Sequence, residues 1–245
     1  MIRIAAFGDC HVGVDSRGTL APALARIDED ADVLLLAGDL TRIGTPEEAD
    51  VLADELRAVH VPVVAVLGNH DYESDAQDEV VGVLTSRGVT MLEGDAIVLD
   101  TRAGTLGVAG VKGFGTGFPG AMCSDFGEPE MKAFVRHSRS AAARLHDALV
   151  EVNDADTRVA LMHYAPVADT LEGERPEIHP FLGSYHLAEA VDDAGADLAL
   201  HGHAHGGVER GTTPGGVPVR NVAQPVIKAA YRVYCVDRDR VGPCA

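Results

Sequence analysis

The stretch Val63-Val64-Ala65-Val66-Leu67-Gly68-Asn69-His70-Asp71 carries the pattern that organises the chain: five apolar residues, one glycine, then polar side chains of the kind that bind metals. A short continuous apolar run closed by glycine reads as a strand buried on both faces. Working outward, Val33-Leu34-Leu35-Leu36-Ala37 ends the same way in Gly38-Asp39, and the opening strand ending at Phe7 is followed by Asp9 and His11. A strand over 158–162 ends in His163, and one over 197–200 ends in His201-Gly202-His203-Ala204-His205. In open α/β sheets ligands gather beyond the carboxyl ends of the strands, so these five strand ends are placed to converge on one crevice.

Helical patterns separate the strands. Leu20, Leu24 and Ile27 stand at helical spacing. Thr45-Pro46-Glu47-Glu48 supplies an N-cap, a first-turn proline and two acids suited to a helix start, with Val51, Leu52, Leu56 and Val59 turned inward. Ser74 to Gln77 reads as a capping box for a helix to Arg87, closed by Gly88. Short strands are expected near 89–92, 96–100 and 105–111, then a glycine-rich loop from Gly113 to Gly120 and a long helix over 128–152. A helix over 186–194 and strands near 217–221 and 231–236 complete the pattern. No linker divides the chain, so residues 1–245 are expected to form one layered α/β domain with a mixed sheet or two sheets.

Composition bounds the function. The 245 residues are 46% hydrophobic, enough for a generous core, and the formal net charge is −18. Such a field repels polyanions and argues against broad binding to nucleic acid or anionic membrane, while leaving room for a small anion held by local cations. No apolar run reaches membrane-spanning length, and the N-terminus has no signal-peptide pattern. Cys10, Cys123, Cys235 and Cys244 form no C-x-x-C pair; a reduced, cytoplasmic protein is expected, with a Cys235–Cys244 bridge left open.

Each polar block alone has a plain reading as a turn. Together, carboxylates and imidazoles without a thiolate set suit Zn, Fe or Mn in an open site, and the ligands outnumber what one tetrahedral ion takes. That surplus fits two ions sharing a carboxylate, an arrangement suited to in-line displacement at phosphorus. His60, His137, His146, His179 and His186 match no block and read as surface or satisfied residues, His201 as a buried hydrogen-bonded one, and Cys10 as a small apolar side chain between two ligands. The Gly113–Gly120 loop lacks a Walker lysine or a dinucleotide fingerprint.

Asp9-Cys10-His11, Gly38-Asp39, Gly68-Asn69-His70-Asp71, His163 and Gly202-His203-Ala204-His205, in this order, resemble the calcineurin-like metallophosphoesterase superfamily. The resemblance spans about residues 9–205. It departs at Arg42, where the family often carries a further Asp (GDxxDxG), and the GNHD form looks like the phosphodiesterase branch. The resemblance implies an α/β sandwich of two mixed sheets flanked by helices, with a dinuclear centre of divalent or trivalent Mn, Fe or Zn. By motif, Asp9, His11 and His205 would hold one ion, Asn69, His163 and His203 the other, and Asp39 would bridge them. A hydroxide between the ions would attack phosphorus directly, His70 would protonate the leaving group, and Asp71 would hydrogen-bond to His70 or otherwise orient it. The implied substrate is a small, nucleotide-like phosphodiester. A phosphomonoesterase or protein phosphatase is the alternative within this fold, and a non-catalytic scaffold is the alternative outside enzymes. Arg42, Lys112, Arg136 and Arg175 are candidate phosphate contacts that read more readily as solvated cations or structural partners. Oligomeric state is not legible.

Overall fold

The computed structural model describes residues 1–237 and 240–243. The first half runs β1 (Ile2–Phe7), α1 (Ile27–Asp30), β2 (Val33–Ala37), α2 (Pro46–Glu55), β3 (Val63–Val66), α3 (Gln77–Ser86), β4 (Val89–Met91), β5 (Asp95–Thr101) and β6 (Gly104–Val111). The second half runs β7 (Gly117–Phe118), β8 (Ala121–Met122), α4 (Pro129–Glu151), β9 (Thr157–Met162), α5 (His179–Leu182), α6 (Tyr185–Ala194), β10 (Leu198–His201), β11 (Arg210–Thr212), β12 (Pro218–Asn221), α7 (Gln224–Ile227), β13 (Arg232–Asp237) and β14 (Arg240–Pro243). Two six-stranded mixed sheets result, in the orders β14-β13-β1-β2-β3-β4 and β11-β12-β10-β9-β6-β5.

Alternation along the strands builds the layers. In β2, Val33, Leu35 and Ala37 face the second sheet, while Leu34 and Leu36 face α2 and α3. The inter-sheet core joins Ile4, Leu35, Val64 and Val66 to Leu106, Val159, Leu161 and Leu200, all without solvent exposure. On the far side of the second sheet, Leu145 and Leu149 of α4 and Leu187 and Val191 of α6 pack on Val111, Ala160 and Met162. The stacking is therefore helix, sheet, sheet, helix. Gly110 marks where the sheets meet most closely, since a Cβ there would lie 2.6 Å from that of Leu92 and 2.9 Å from Val66 Cγ1. With no Trp and few aromatics to fill volume, branched aliphatics carry this core. Parallel pairing runs β1 to β2, β2 to β3 and, in the other sheet, β9 to β10, so five carboxyl ends open on the same rim.

Several local expectations shift. The segment around Leu20 and Ile27 is not one helix: a 3-10 turn over Ala21–Leu24 precedes the one-turn α1. Its start is held by the Glu55 carboxylate, which accepts from Gly18 N, Leu20 N and Ala21 N at 2.5, 2.8 and 2.7 Å. Helix α2 begins as read, with the Thr45 hydroxyl accepting from Glu48 N at 3.3 Å, but ends at Glu55, before Val59. The capping box at Ser74 does not form: Ala76 is the N-cap of α3, and the Ser74 hydroxyl donates to Ile43 O at 2.6 Å, drawn to a neighbouring loop. Two short additions, the β7–β8 hairpin inside the glycine-rich loop and edge strand β11, have too few residues to show a period. Cys235 is disulfide-bonded, a possibility the sequence reading left open, while Cys10 and Cys123 are free. Cys244, the partner considered from sequence, lies outside the described residues. No helix among the described residues is long and apolar enough to cross a membrane.

Leu35 lies wholly within the inter-sheet core. Leu35→Ala is expected to lower unfolding free energy by about 2–5 kcal/mol through lost transfer energy and the cavity left behind. Urea denaturation followed by circular dichroism measures it; a loss below about 1 kcal/mol would contradict the packing described.

Candidate metal centre

The polar residues that follow β1, β2, β3, β9 and β10 meet at the shared rim. His163 joins the sheets there, its Nδ1–H donating to Ala37 O at 2.8 Å beyond the end of β2. That bond leaves Nε2, 3.0 Å from Asn69 Oδ1 and 3.4 Å from Asp39 Oδ1, with a lone pair that a metal ion shared with those oxygens would take. His203 behaves alike, with Nε2–H donating to Phe181 O at 3.1 Å and Nδ1 left as the coordinating atom. Asp39 Oδ2 lies 3.8 Å from His11 Nε2, and Asp9 Oδ1 lies 2.8 Å from His205 Nε2. Two groups of donor atoms, each mutually within 4.8 Å, follow: Asp9, His11, Asp39 and His205, and Asp39, His163 and His203. Asp39 belongs to both, and Asn69 adjoins the second.

The local backbone is bent to achieve this. Asp9, His11, Asp39 and His203 have φ of 59, 43, 49 and 70°, four of the six positive-φ non-glycine residues among those described. Such conformations cost about 1–3 kcal/mol each and persist only where surroundings over-determine them. Here the compensation is visible: Asp9 accepts from His203 N at 3.0 Å, and Asp39 accepts from His70 N at 2.8 Å. Gly68 is required for close approach, since a Cβ there would overlap the Asp39 carboxylate.

Electrostatics favour a cation. Asp9 and Asp39 are almost wholly buried, at 4% and 1% exposure. Burial pushes the Asp9 carboxyl up to about 6, against the opposing pull of His205, whose own affinity for a proton rises because of Asp9. Burial holds His163 well below the usual histidine range and takes His203 down to about 3, so both imidazoles are in the neutral form that ligates metal. Two desolvated carboxylates beside four imidazoles thus fit divalent or trivalent ions such as Mn, Fe or Zn.

The remaining candidates sort by geometry. His70 lies at the site edge, its ring 4.7 Å from that of His11, and its Nδ1–H donates to Arg42 O at 3.0 Å, which leaves Nε2 to the crevice. The Asp71 carboxylate makes its hydrogen bonds elsewhere than to the His70 ring, which leaves the other expected course, orienting His70 by another route. That carboxylate accepts from Thr41 N and Oγ1 at 2.8 and 2.5 Å and from Gly68 N and Leu40 N at 2.7 and 3.2 Å, tying the β2 loop to the β3 loop. Sequence alone could not distinguish the two roles, because residues 70 and 71 are neighbours in either case. His201 is fully buried, bonded to Gly202 O and Thr170 Oγ1, as expected of a non-ligand. Cys10 donates to Leu40 O at 3.3 Å, and burial raises its thiol far above neutrality, so no thiolate joins the ligands. Arg42 pairs with Asp15 at 2.8 Å and Arg175 lies near Glu177, both exposed, and Arg136 is exposed too. Lys112 is instead buried. Glu174 accepts from Gly206 N at 2.5 Å and braces the loop after His205, and Thr41, to which sequence reading gave no role, donates to Asp71.

The sequence profile of the calcineurin-like phosphoesterase family matches residues 2–207. Protein YpbG of Bacillus subtilis (strain 168) is 24% identical over 177 residues, covering 71% of this chain and 51% of its own, so the chain spans about half the length of that curated relative. Among solved structures, phosphopantetheinyl hydrolase (PptH) from Mycobacterium tuberculosis superposes with a TM-score of 0.71 at 17% identity, over 98% of each chain. TT1561 of Thermus thermophilus superposes with a TM-score of 0.61 at 18% identity, over 99% of this chain and 98% of its own.

Asp39→Ala should therefore deplete both ligand groups, whereas His70→Ala should leave metal content near wild type; plasma mass spectrometry after Mn loading reads this directly. Equal depletion in both variants would contradict the geometry. Asp71→Asn, which puts an amide where four donors converge, should cost about 1–3 kcal/mol of stability in urea unfolding; no loss would contradict its role as the tie between loops.

Proposed function

The chain belongs to the calcineurin-like phosphoesterase family, whose members are metal-dependent hydrolases of phosphate esters, and we propose that it hydrolyses a small, nucleotide-like phosphodiester at a dinuclear centre. The observation that carries this reading is the pair of ligand groups meeting at Asp39. Asp9, His11 and His205 would hold one ion; Asn69, His163 and His203 the other; Asp39 would serve both. When bound, such ions supply charge that stabilises the phosphoryl oxygens and make a water nucleophilic near neutral pH.

The protein's own side chains supply orientation and proton transfer. Arg42 O holds the His70 ring by Nδ1–H, so Nε2 is the atom that carries a proton to the departing ester oxygen. The His70 amide bound to Asp39 keeps the ring beside the ligand set, and Asp71 acts one step back by holding the loop on which His70 stands. Asp71 is thus a positioning residue. The retained acid at position 70 favours an enzyme over a scaffold, because an interaction surface needs no proton donor beside metal ligands.

A Mn-loaded preparation is expected to cleave bis-p-nitrophenyl phosphate faster than p-nitrophenyl phosphate, and to lose turnover on chelation. His70→Ala should lower kcat by about 10²–10⁴-fold with metal retained. Preference for the monoester would transfer the assignment to a phosphomonoesterase. Absence of turnover on either ester with two metals bound would favour the scaffold.

A further inference from the structure

Lys112 follows β6 and is 9% exposed, yet no carboxylate among the described residues lies within ion-pair distance of its Nζ. The nearest acid, Glu93, is committed elsewhere: Oε2 accepts from the Lys112 backbone N–H at 2.8 Å and Oε1 from Arg144 Nη2 at 2.7 Å. The ammonium donates to Gly113 O at 3.4 Å and otherwise faces three aromatic rings, with Nζ 4.9 Å from the centroid of Tyr72 and 5.2 Å from those of Phe114 and Tyr164. A desolvated ammonium with two donor protons facing only π-faces is costly, and burial lowers its proton affinity. That cost falls when an anion reaches it.

The surroundings indicate what kind of anion. Tyr72 continues the turn that carries His70 and Asp71, and Tyr164 follows His163 and lies 4.5 Å, ring to ring, from His203. Lys112 O accepts from the His163 and Tyr164 N–H groups at 3.1 Å each, so the lysine stands beside the ligand cluster, and the Tyr164 ring lies near both its Nζ and His203. On the outer side, half-buried Phe114 contacts Phe134 and His137 edge-on at 4.9 and 4.6 Å. The chain has only six Phe and five Tyr, and four of them gather here. Glu93, Asp39 and Arg144 are the charged groups acting on the lysine; with Arg144 paired to Glu93 and burial lowering the proton affinity of His137, the Lys112 ammonium is the charge left there without an ion-pair partner among the described residues.

We propose that Lys112 and Phe114 form a recognition subsite for a second anionic group joined to a flat ring, the chemistry of a nucleoside diphosphate or its esters. The inference deepens the phosphoesterase reading and rests on it for the place of the scissile ester. The cation takes the non-scissile phosphate by charge-assisted hydrogen bonds, and the Phe114 face stacks the base.

Calorimetric titration of the Mn-loaded full chain with the α,β-methylene analogue of ADP, which resists hydrolysis, tests it. Lys112→Met should weaken binding at least about tenfold, and Lys112→Arg less. Phe114→Leu should weaken the ADP analogue while altering binding of methylene diphosphonate by less than about twofold. Should Lys112→Met fail to fold, Phe114→Leu carries the test, because its ring is only half-buried. Binding of the analogue by Lys112→Met within about twofold of wild type, or equal weakening of both probes by Phe114→Leu, overturns the subsite. Intact, Lys112-dependent binding without turnover of any ester would overturn the phosphoesterase reading and leave the subsite standing.

Discussion

Two carboxylates withdrawn from water, Asp9 and Asp39, impose the constraint around which this molecule is arranged. Burying an unpaired carboxylate is expensive, and the chain meets the cost with directed donors: the backbone N–H groups of His203 and His70, and the imidazole of His205. Those donors arrive from strand ends in both sheets, so the sandwich and the site are coupled. The His163 bond to Ala37 O is the clearest join, because one imidazole is both cross-sheet tie and candidate ligand. Left-handed backbone at four ligand candidates is the conformational cost of that convergence.

The net charge of −18 takes on a different meaning once the site is seen. A mean negative field disfavours polyanions, but a bound ester would meet a local field, set by the candidate metal ligands on one side and by the Lys112 ammonium on the other. An acidic surface that disfavours polyanions is consistent with the small ester proposed here.

Legibility from sequence follows the strength of the local signal. The runs Val33–Ala37 and Val63–Val66 are plain because each is buried on both faces, and the Asp, Asn and His residues after them stand at the rim as the strand-end rule requires. Helix α4, expected over 128–152 and observed over Pro129–Glu151, is clear from its long amphipathic pattern. Ser74 misleads because its hydroxyl finds Ile43 O, a partner distant in sequence, in place of a cap. The hydrogen-bond partners of Asp71 are hidden for the same reason: beside Gly68 of its own loop, Thr41 and Leu40 come from another strand's loop. Lys112 is one of four candidate phosphate contacts with nothing to set it apart until the fold removes its solvent and its counter-charge. Period and motif report what a residue is near in the chain; tertiary hydrogen bonds decide what it does.

A position between two metal ions is the role on which everything proposed for Asp39 turns. Electron paramagnetic resonance of the fully Mn(II)-loaded chain tests it most directly. The spectrum expected is that of an exchange-coupled pair, converting to that of isolated ions in Asp39→Ala. An isolated-ion hyperfine pattern from the fully loaded wild-type protein would contradict it.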